Sequence, residues 1–555
     1  MNRYAPLYIG TAGQSDELTP ELAGSKAAMI WQMNRLGLNV PPAFVLPTEL
    51  CASVNRNDPQ ALAALDQGLR DGIGRLEETT GRRLGGDRAP LLVSVRSGAA
   101  KSMPGMLATI LDVGLNAQSV RGLIGLTGNP RLAWDSYRRF TENYSEIVNG
   151  APSGIFAASL TEMIRSENVE GESELDSEAL ERLTRDFRAL AAKTVGRAIP
   201  DNPIEQLEAA ARAVYRSWES PRAEEYRRLN KLDGLNGTAV TIQAMVFGNA
   251  GGKSGAGVAF SRNPATGAKE LYVDFLVDAQ GEDVVAGRRM PGNADLLAAG
   301  LPQVARELAD GAALLEREFR DLQDVEFTVE NGKLFFLQTR SAKRTPRAAL
   351  HVLVDFVREG LLDPRTALSR AAEIDLERAR ITRFANKVPA IATALSASPG
   401  VATGRAAFDS IRAKALAAAK EPVILVRHET STDDVSGFAA SAGILTAVGG
   451  RTAHAAVVAR QLGKVCLVGC RDLKIDEGGR CGEIAGKKID EGDWISLDGE
   501  TGEIMLGRLD IVAELPQAEL AAIDEWRRSG DCSQVAGGRG QVGRSQSACA
   551  DGSSG

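Results

Sequence analysis

The sequence predicts a multidomain α/β and α+β protein. Three observations carry that prediction: a length of 555 residues, strand-like apolar alternations that recur between helical tracts, and one long charged helical stretch that interrupts them. At roughly 100–200 residues per domain, such a chain holds several hydrophobic cores.

Near the N-terminus, Leu22-Ala23-Gly24-Ser25-Lys26-Ala27-Ala28-Met29 sets glycine and serine ahead of a helical pattern running to Leu36. Leu91, Val93 and Val95 alternate with Leu92, Ser94 and Arg96, a strand that ends at Ser97-Gly98. From about 131 to 230 the chain is rich in Arg, Glu, Ala and Leu and reads as a helical insertion. Strands return at Ala239–Phe247 and Gly257–Ser261. Between them, Gly248-Asn249-Ala250-Gly251-Gly252-Lys253-Ser254-Gly255 imitates a P-loop, but Phe247 stands where the first glycine belongs and a strand follows where a helix is needed. The segment reads as a flexible hairpin, or as a glycine lid whose N–H groups close over phosphates.

Two alternating runs flank Asn331-Gly332 between Asp324 and Arg340, a strong hairpin signal. A two-residue loop pairs Glu326 with Leu337 and mixes both faces. A three-residue loop, Glu330-Asn331-Gly332, pairs Asp324 with Gln338 and Val325 with Leu337. It sends Val325, Phe327, Phe335 and Leu337 inward and gathers Asp324, Glu326, Gln338 and Arg340 on the other face, so it is the expected form. Carboxylates spaced i, i+2 suit Mg²⁺, and an arginine beside them suits phosphoryl oxygens, although a solvated face of cross-strand charge pairs has the same pattern.

Leu350, Leu353, Val354 and Val357 are in helical register within a connector spanning 341–387. A compact α/β domain is expected over 388–508. A helix near Ala518–Arg528 follows, and the tail Ser529–Gly555, rich in Gly, Ser, Gln and Arg, is expected to be disordered. The region 1–340 forms the remaining large domain.

A formal charge of −7 without a dense basic block excludes nucleic-acid and anionic-membrane binding as the first reading. No apolar stretch of bilayer length and no secretory core are found, so a soluble cytoplasmic protein acting on small molecules is expected. Six cysteines are too sparse for a disulfide framework; Cys466 and Cys470 read as buried strand residues, and no structural metal is expected.

The most chemical stretch is Gly449-Gly450-Arg451-Thr452-Ala453-His454-Ala455-Ala456-Val457-Val458-Ala459-Arg460. Two glycines permit a sharp turn, Thr452 can cap the following helix, and His454, one of three histidines, falls in its first turn, where the helix dipole favours negative charge. Ala455, Val458, Ala459 and Leu462 make the buried stripe, Gly463 ends the helix, and Val465–Val468 reads as a strand. His351 and His428 read as structural or exposed.

This block resembles the phosphohistidine swivelling domain of enzymes that make or use phosphoenolpyruvate, in which the histidine of Gly-Gly-x-Thr-x-His-Ala-Ala is phosphorylated. The remainder resembles the ATP-grasp nucleotide domain of the pyruvate, phosphate dikinases. The resemblance is carried by Ser94-Val95-Arg96-Ser97-Gly98-Ala99, Ser102-Met103-Pro104-Gly105-Met106, Asn129-Pro130-Arg131, Asp135-Ser136-Tyr137-Arg138-Arg139-Phe140, Phe260–Gly267 and Ala279–Gly287. It implies that Lys26 and Arg96 contact ATP phosphates, Glu282 and Asp283 the nucleotide, Asp324 and Glu326 Mg²⁺, and Gln338 and Arg340 the phosphate end. It further implies that ATP and inorganic phosphate load His454, with Thr452 beside it, releasing AMP and pyrophosphate. Ala23 departs from the family, which usually has a second glycine before the lysine. Loading should weaken as pH falls through the imidazole pKa, near 6.5 when unperturbed.

Too few residues follow Arg508 for the pyruvate and phosphoenolpyruvate barrel of ~250 residues that such enzymes carry. The acceptor is therefore expected on a separate barrel protein or to be another small molecule; an ATP-sensing pseudo-enzyme is the reading from another class. A homo-oligomer stays open.

Overall fold

The computed structural model describes residues 3–101, 103, 106–286, 292–429, 434–451, 454–476 and 480–537. The chain divides into two compact units. The first comprises Met1–Ser261, Val273–Leu315 and Gln323–Ser341, the second Arg262–Tyr272, Glu316–Leu322 and Ala342–Gly555.

The first unit contains a five-stranded antiparallel sheet in the order Leu7–Ile9, Ala43–Leu46, Ala239–Ala244, Val93–Gly98, Thr109–Val113. The helix Pro59–Thr80 begins at Asp58, whose carboxylate accepts from the Gln60 and Ala61 N–H groups, and ends at Gly81 in the left-handed region. It buries Leu65, Leu69, Ile73 and Leu76 in the main core. The charged stretch resolves into the helices Pro130–Ile147, Ala157–Ser166, Ser177–Val195, Pro203–Ser217 and Pro221–Leu229. Asn129, Asp176, Asn202 and Ser220 cap four of them with side-chain oxygens. A satellite core of Phe156, Leu180, Leu183 and Phe187 joins the Ala157–Ser166 and Ser177–Val195 helices.

A second sheet, in the order Lys333–Ser341, Gln323–Glu330, Gly255–Phe260, Tyr272–Val277, carries the Asn-Gly hairpin. The helix Pro302–Phe319 covers one of its faces. Gly311 makes this possible, since a Cβ there would stand 2.4 Å from the Phe336 ring.

In the second unit an eight-stranded mixed sheet runs Ala392–Thr393, Glu503–Leu506, Trp494–Asp498, Val401–Ala407, Val423–Arg427, Gly443–Thr446, Val465–Val468, Leu395–Ser398. Its central strands are parallel and covered on both faces: Val423 and Leu425 join one core, Ile424 and Val426 the other. That is why Val423–Val426 is an unbroken apolar run instead of an alternation.

The connector is helical only at Pro346–Arg358 and Pro364–Ala371. Residues Ile381–Phe384, expected to be helical, form a strand paired with Ile511–Glu514. The β-branched pair Ile381-Thr382 favours extended backbone. The final helix spans Gln517–Gly537 and begins beside the expected start near Ala518. No proline interrupts that stretch, and helix propagation adds a hydrogen bond for each residue fixed. Residues 538–555 lie outside the described residues. No helix among the described residues is long and apolar enough to cross a membrane.

Candidate functional site

Lys26 owes its place to a broken helix. Within Pro20–Arg35, Gly24 has φ 78° and ψ 153°, a region open essentially to glycine alone, and a Cβ there would lie 2.1 Å from the Gly98 carbonyl oxygen. The break lets the backbone N–H and the hydroxyl of Ser25 both donate to the Ala99 carbonyl, at 2.9 and 3.0 Å, pinning the helix restart to the end of the Arg96 strand. Burial, with Arg96 and Arg340 adding repulsion, lowers the Lys26 pKa to about 8, while Glu326 opposes the shift. Its charge therefore fades as pH rises through about 8. ATP affinity should be pH-independent between 6 and 7 on this account and fall above 8, with Lys26→Arg removing the fall; calorimetric titration of ATP at pH 6–9 checks it.

The hairpin differs from its expected form. Glu330 pairs with Lys333 across a two-residue loop in which Asn331 and Gly332 have φ 51° and 80°, as a type I′ turn requires. The three-residue loop is thus ruled out. A β-bulge between Glu326 and Phe327 leaves Leu337 as the extra residue, so Glu326 faces Gln338 and Asp324 faces Arg340. The polar residues share a face after all, by a route that was not foreseen. The inward set is corrected to Val325, Phe327 and Val329 opposite Thr339, Phe336 and Leu334; Phe335 and Leu337 are not part of it. Arg340 Nε donates to Asp324 Oδ2 at 2.8 Å, and the two carboxylates nearby raise its pKa against the effect of burial. The Arg340 terminal nitrogens donate to none of the described residues, and Glu326 accepts no hydrogen bond from any of them.

A cavity of 470 Å³ opens in this unit between the two sheets. Arg96, Glu282 and Glu326 supply its charge; Leu111, Met245, Val246, Val258, Phe327 and Leu337 supply apolar walls. Arg96 Nε is buried without a hydrogen-bond partner among the described residues. The glycine loop reaches the cavity only through Gly248. Its remainder is fastened at the far end of the hairpin: Gly332 N–H donates to Lys253 O at 2.8 Å, Asn331 N–H to Ser254 Oγ at 2.9 Å, and Asp278 N–H to Ser254 O at 3.0 Å. That end lies five rungs, roughly 17 Å, along the sheet from Asp324.

Glu282 sits at the cavity mouth, where the protein walls raise its pKa against the pull of Arg139. Asp283 turns away. It accepts from Arg139 at 2.9 Å, and Arg139 also binds Asp135 at 3.0 Å, so the Asp283 carboxylate is engaged by an arginine of the helix Pro130–Ile147. Beside them lies a residue that sequence reasoning missed. Asp112 is 1 % exposed, has φ 56°, and neither carboxyl oxygen has a hydrogen-bond partner among the described residues.

Burial, reinforced by Glu282, pushes Asp112 up to about 8. The folded protein therefore holds a proton at pH 7 that the unfolded chain releases, and stability falls as pH rises from about 4 to 8, by about 1.4 kcal/mol per unit. Asparagine tolerates positive φ and cannot ionise. Asp112→Asn should therefore stabilise this unit, by on the order of 2–3 kcal/mol more at pH 7 than at pH 5. Calorimetric melting across pH 5–8 tests this; a gap that does not widen with pH would remove the buried proton.

His454 opens the helix His454–Leu462, following Gly449 at φ 118° and Gly450; Thr452 lies outside the described residues. His351 Nδ1 pairs with Glu519 at 2.9 Å, and His428 is exposed. Arg96, Glu326 and Arg340 all lie within electrostatic reach of Lys26, and Asp324 and Gln338 share the hairpin face of Glu326 and Arg340. Among the described residues no group of three or more His, Cys, Asp or Glu side chains is arranged to hold a metal alone.

The family described as "Pyruvate phosphate dikinase, AMP/ATP-binding domain" matches residues 62–304 and 301–359, and "PEP-utilising enzyme, mobile domain" matches 419–502. Among similar proteins, the chloroplastic pyruvate, phosphate dikinase of Flaveria pringlei is 43% identical over 509 residues, 91% of this chain and 53% of that protein. The pyruvate, phosphate dikinase of Clostridium symbiosum is 44% identical over 496 residues, 88% of this chain and 56% of that one. Pyruvate, phosphate dikinase 2 of Zea mays is 42% identical over 514 residues, 91% and 58% respectively. The chain spans about half the length of the curated relatives it matches. It belongs to the pyruvate, phosphate dikinase family.

Proposed function

We propose that ATP and inorganic phosphate phosphorylate His454, releasing AMP and pyrophosphate, and that the phosphoryl group then passes to pyruvate. The observation that carries this reading is the gathering of Lys26, Arg96 and Arg340 around Glu326 beside an apolar-walled cavity. Adenosine occupies the apolar part, with Glu282 at the mouth, and the cations meet the phosphates. Asp324 and Glu326 hold Mg²⁺. Their hard oxygens, on one face and two in number, suit an ion that completes its shell from substrate phosphates and water. Bound there, the ion would neutralise phosphate charge.

An imidazole nitrogen of His454 attacks the β-phosphorus, the bond from that phosphorus to the α,β-bridging oxygen breaks, and AMP leaves with its electrons. An oxygen of inorganic phosphate then attacks the terminal phosphorus, and pyrophosphate departs. Phosphohistidine remains, at a helix N-terminus that favours its negative charge. Gln338 and Arg340 hold the phosphate end, and Arg139 carries the contribution of Asp283. Pyruvate is bound by sequence of the kind the relatives carry beyond the matched half.

ATP labelled at the β-phosphorus, incubated with Mg²⁺, phosphate and the protein, should leave one acid-labile label per chain. Labelling that also appears from α-labelled ATP, or no label at all, excludes this chemistry.

A further inference from the structure

Arg460 is fully buried on the helix that His454 opens. Its Nη1 donates to the Ala397 carbonyl at 2.9 Å and to the Arg451 carbonyl at 2.8 Å. The side chain runs back along the helix towards its start, the direction that helical side chains favour. One nitrogen thereby ties the helix, the glycine turn and the edge strand Leu395–Ser398. The other side of the turn is held as well: the Arg451 guanidinium lies 5.1 Å from the centre of the Tyr272 ring, and the Tyr272 hydroxyl donates to Ser396 O at 3.2 Å. Both fastenings end on the same strand.

Methionine would fill most of the buried Arg460 volume without the cost of burying a charge. It could not hold two carbonyls or place a permanent positive charge behind the turn. We infer that Arg460 is a positioning residue, fixing the main chain at Arg451 so that the histidine three residues on is presented for phosphoryl transfer. The inference rests on the reading of His454 as the carrier.

The test compares Arg460→Lys and Arg460→Met with the parent protein, using β-labelled ATP. Lysine keeps the charge and a donor nitrogen but is one atom shorter; methionine keeps only bulk. Half-saturation by ATP should stay within about twofold in both, since the cavity residues are untouched. The maximal loading rate should fall about 100-fold in Arg460→Met, as small misplacements of reacting groups do, and recover about tenfold of that in Arg460→Lys. Hydrogen exchange in a peptide covering 443–451 should rank the same way, fastest in the methionine variant. A packing role alone predicts methionine at least as good as lysine in both measurements, and that order overturns the inference. If Arg460→Met does not fold, loading by Arg460→Lys within about threefold of the parent overturns it too. A parent protein that takes no label removes the carrier reading and this inference with it; a labelled parent matched by Arg460→Met removes the inference alone.

Discussion

Alanine at position 454 should abolish labelling from β-labelled ATP while leaving ATP affinity within about twofold. The two effects separate because the proposed nucleotide contacts, Lys26, Arg96, Glu326 and Arg340, belong to one compact unit and His454 to the other. Loss of a covalent nucleophile leaves no alternative route to the same adduct, so the expected effect is roughly 10⁴-fold or more on loading. Isothermal titration with ATP and autoradiography of the acid-labile adduct measure both halves. A variant that still takes full label would move the phosphoryl carrier to another residue. One that no longer binds ATP would mean that the histidine has a structural reach beyond its own unit.

Arg340→Ala should lower the loading rate about 10³-fold, the scale seen when a guanidinium that stabilises a transferring phosphoryl group is removed. One N–H of Arg340 is committed to Asp324 at 2.8 Å, and the terminal nitrogens bond to none of the described residues. The substitution therefore does two things: it deletes the donors proposed for phosphate oxygens and takes the cationic partner from an aspartate that is 4 % exposed. Arg340→Lys separates them. It restores charge near Asp324 without the planar fork, so rapid-quench loading should recover only in part. Loading by Arg340→Ala within tenfold of the parent would reduce Arg340 to a structural partner of Asp324.

Features set by local chemistry were legible in the sequence. The glycine that ends the His454 helix, the strand Val465–Val468 and the helical tract from about 131 to 230 each follow from neighbours a few residues away. The gathering of Asp324, Glu326, Gln338 and Arg340 on one face was legible too, because strand parity is local. What escaped depends on distant packing. Nothing near Met245 or Val246 marks them as cavity walls, since the sheet that faces them is built from residues far along the chain. Asp283 looked equivalent to Glu282; only the arrival of Arg139 from another helix distinguishes them. Asp112 sits in the strand Thr109–Val113, where an aspartate ordinarily faces water, and its burial is decided by the helix Pro130–Ile147 packed against that strand.

The bulge at Leu337 shows that a hairpin can satisfy a face requirement in two non-equivalent ways. A three-residue turn and a two-residue turn with one bulged residue preserve the same odd–even sorting, so both bring the charged residues to one surface. They differ by one step of two residues in which pairs stand directly opposite. With the longer turn, Asp324 would meet the neutral Gln338; with the bulge it meets Arg340, and Glu326 meets Gln338. The insertion thus acts as a vernier. It leaves the faces alone and selects which of the two carboxylates is tethered to Arg340 and which stands opposite a neutral amide.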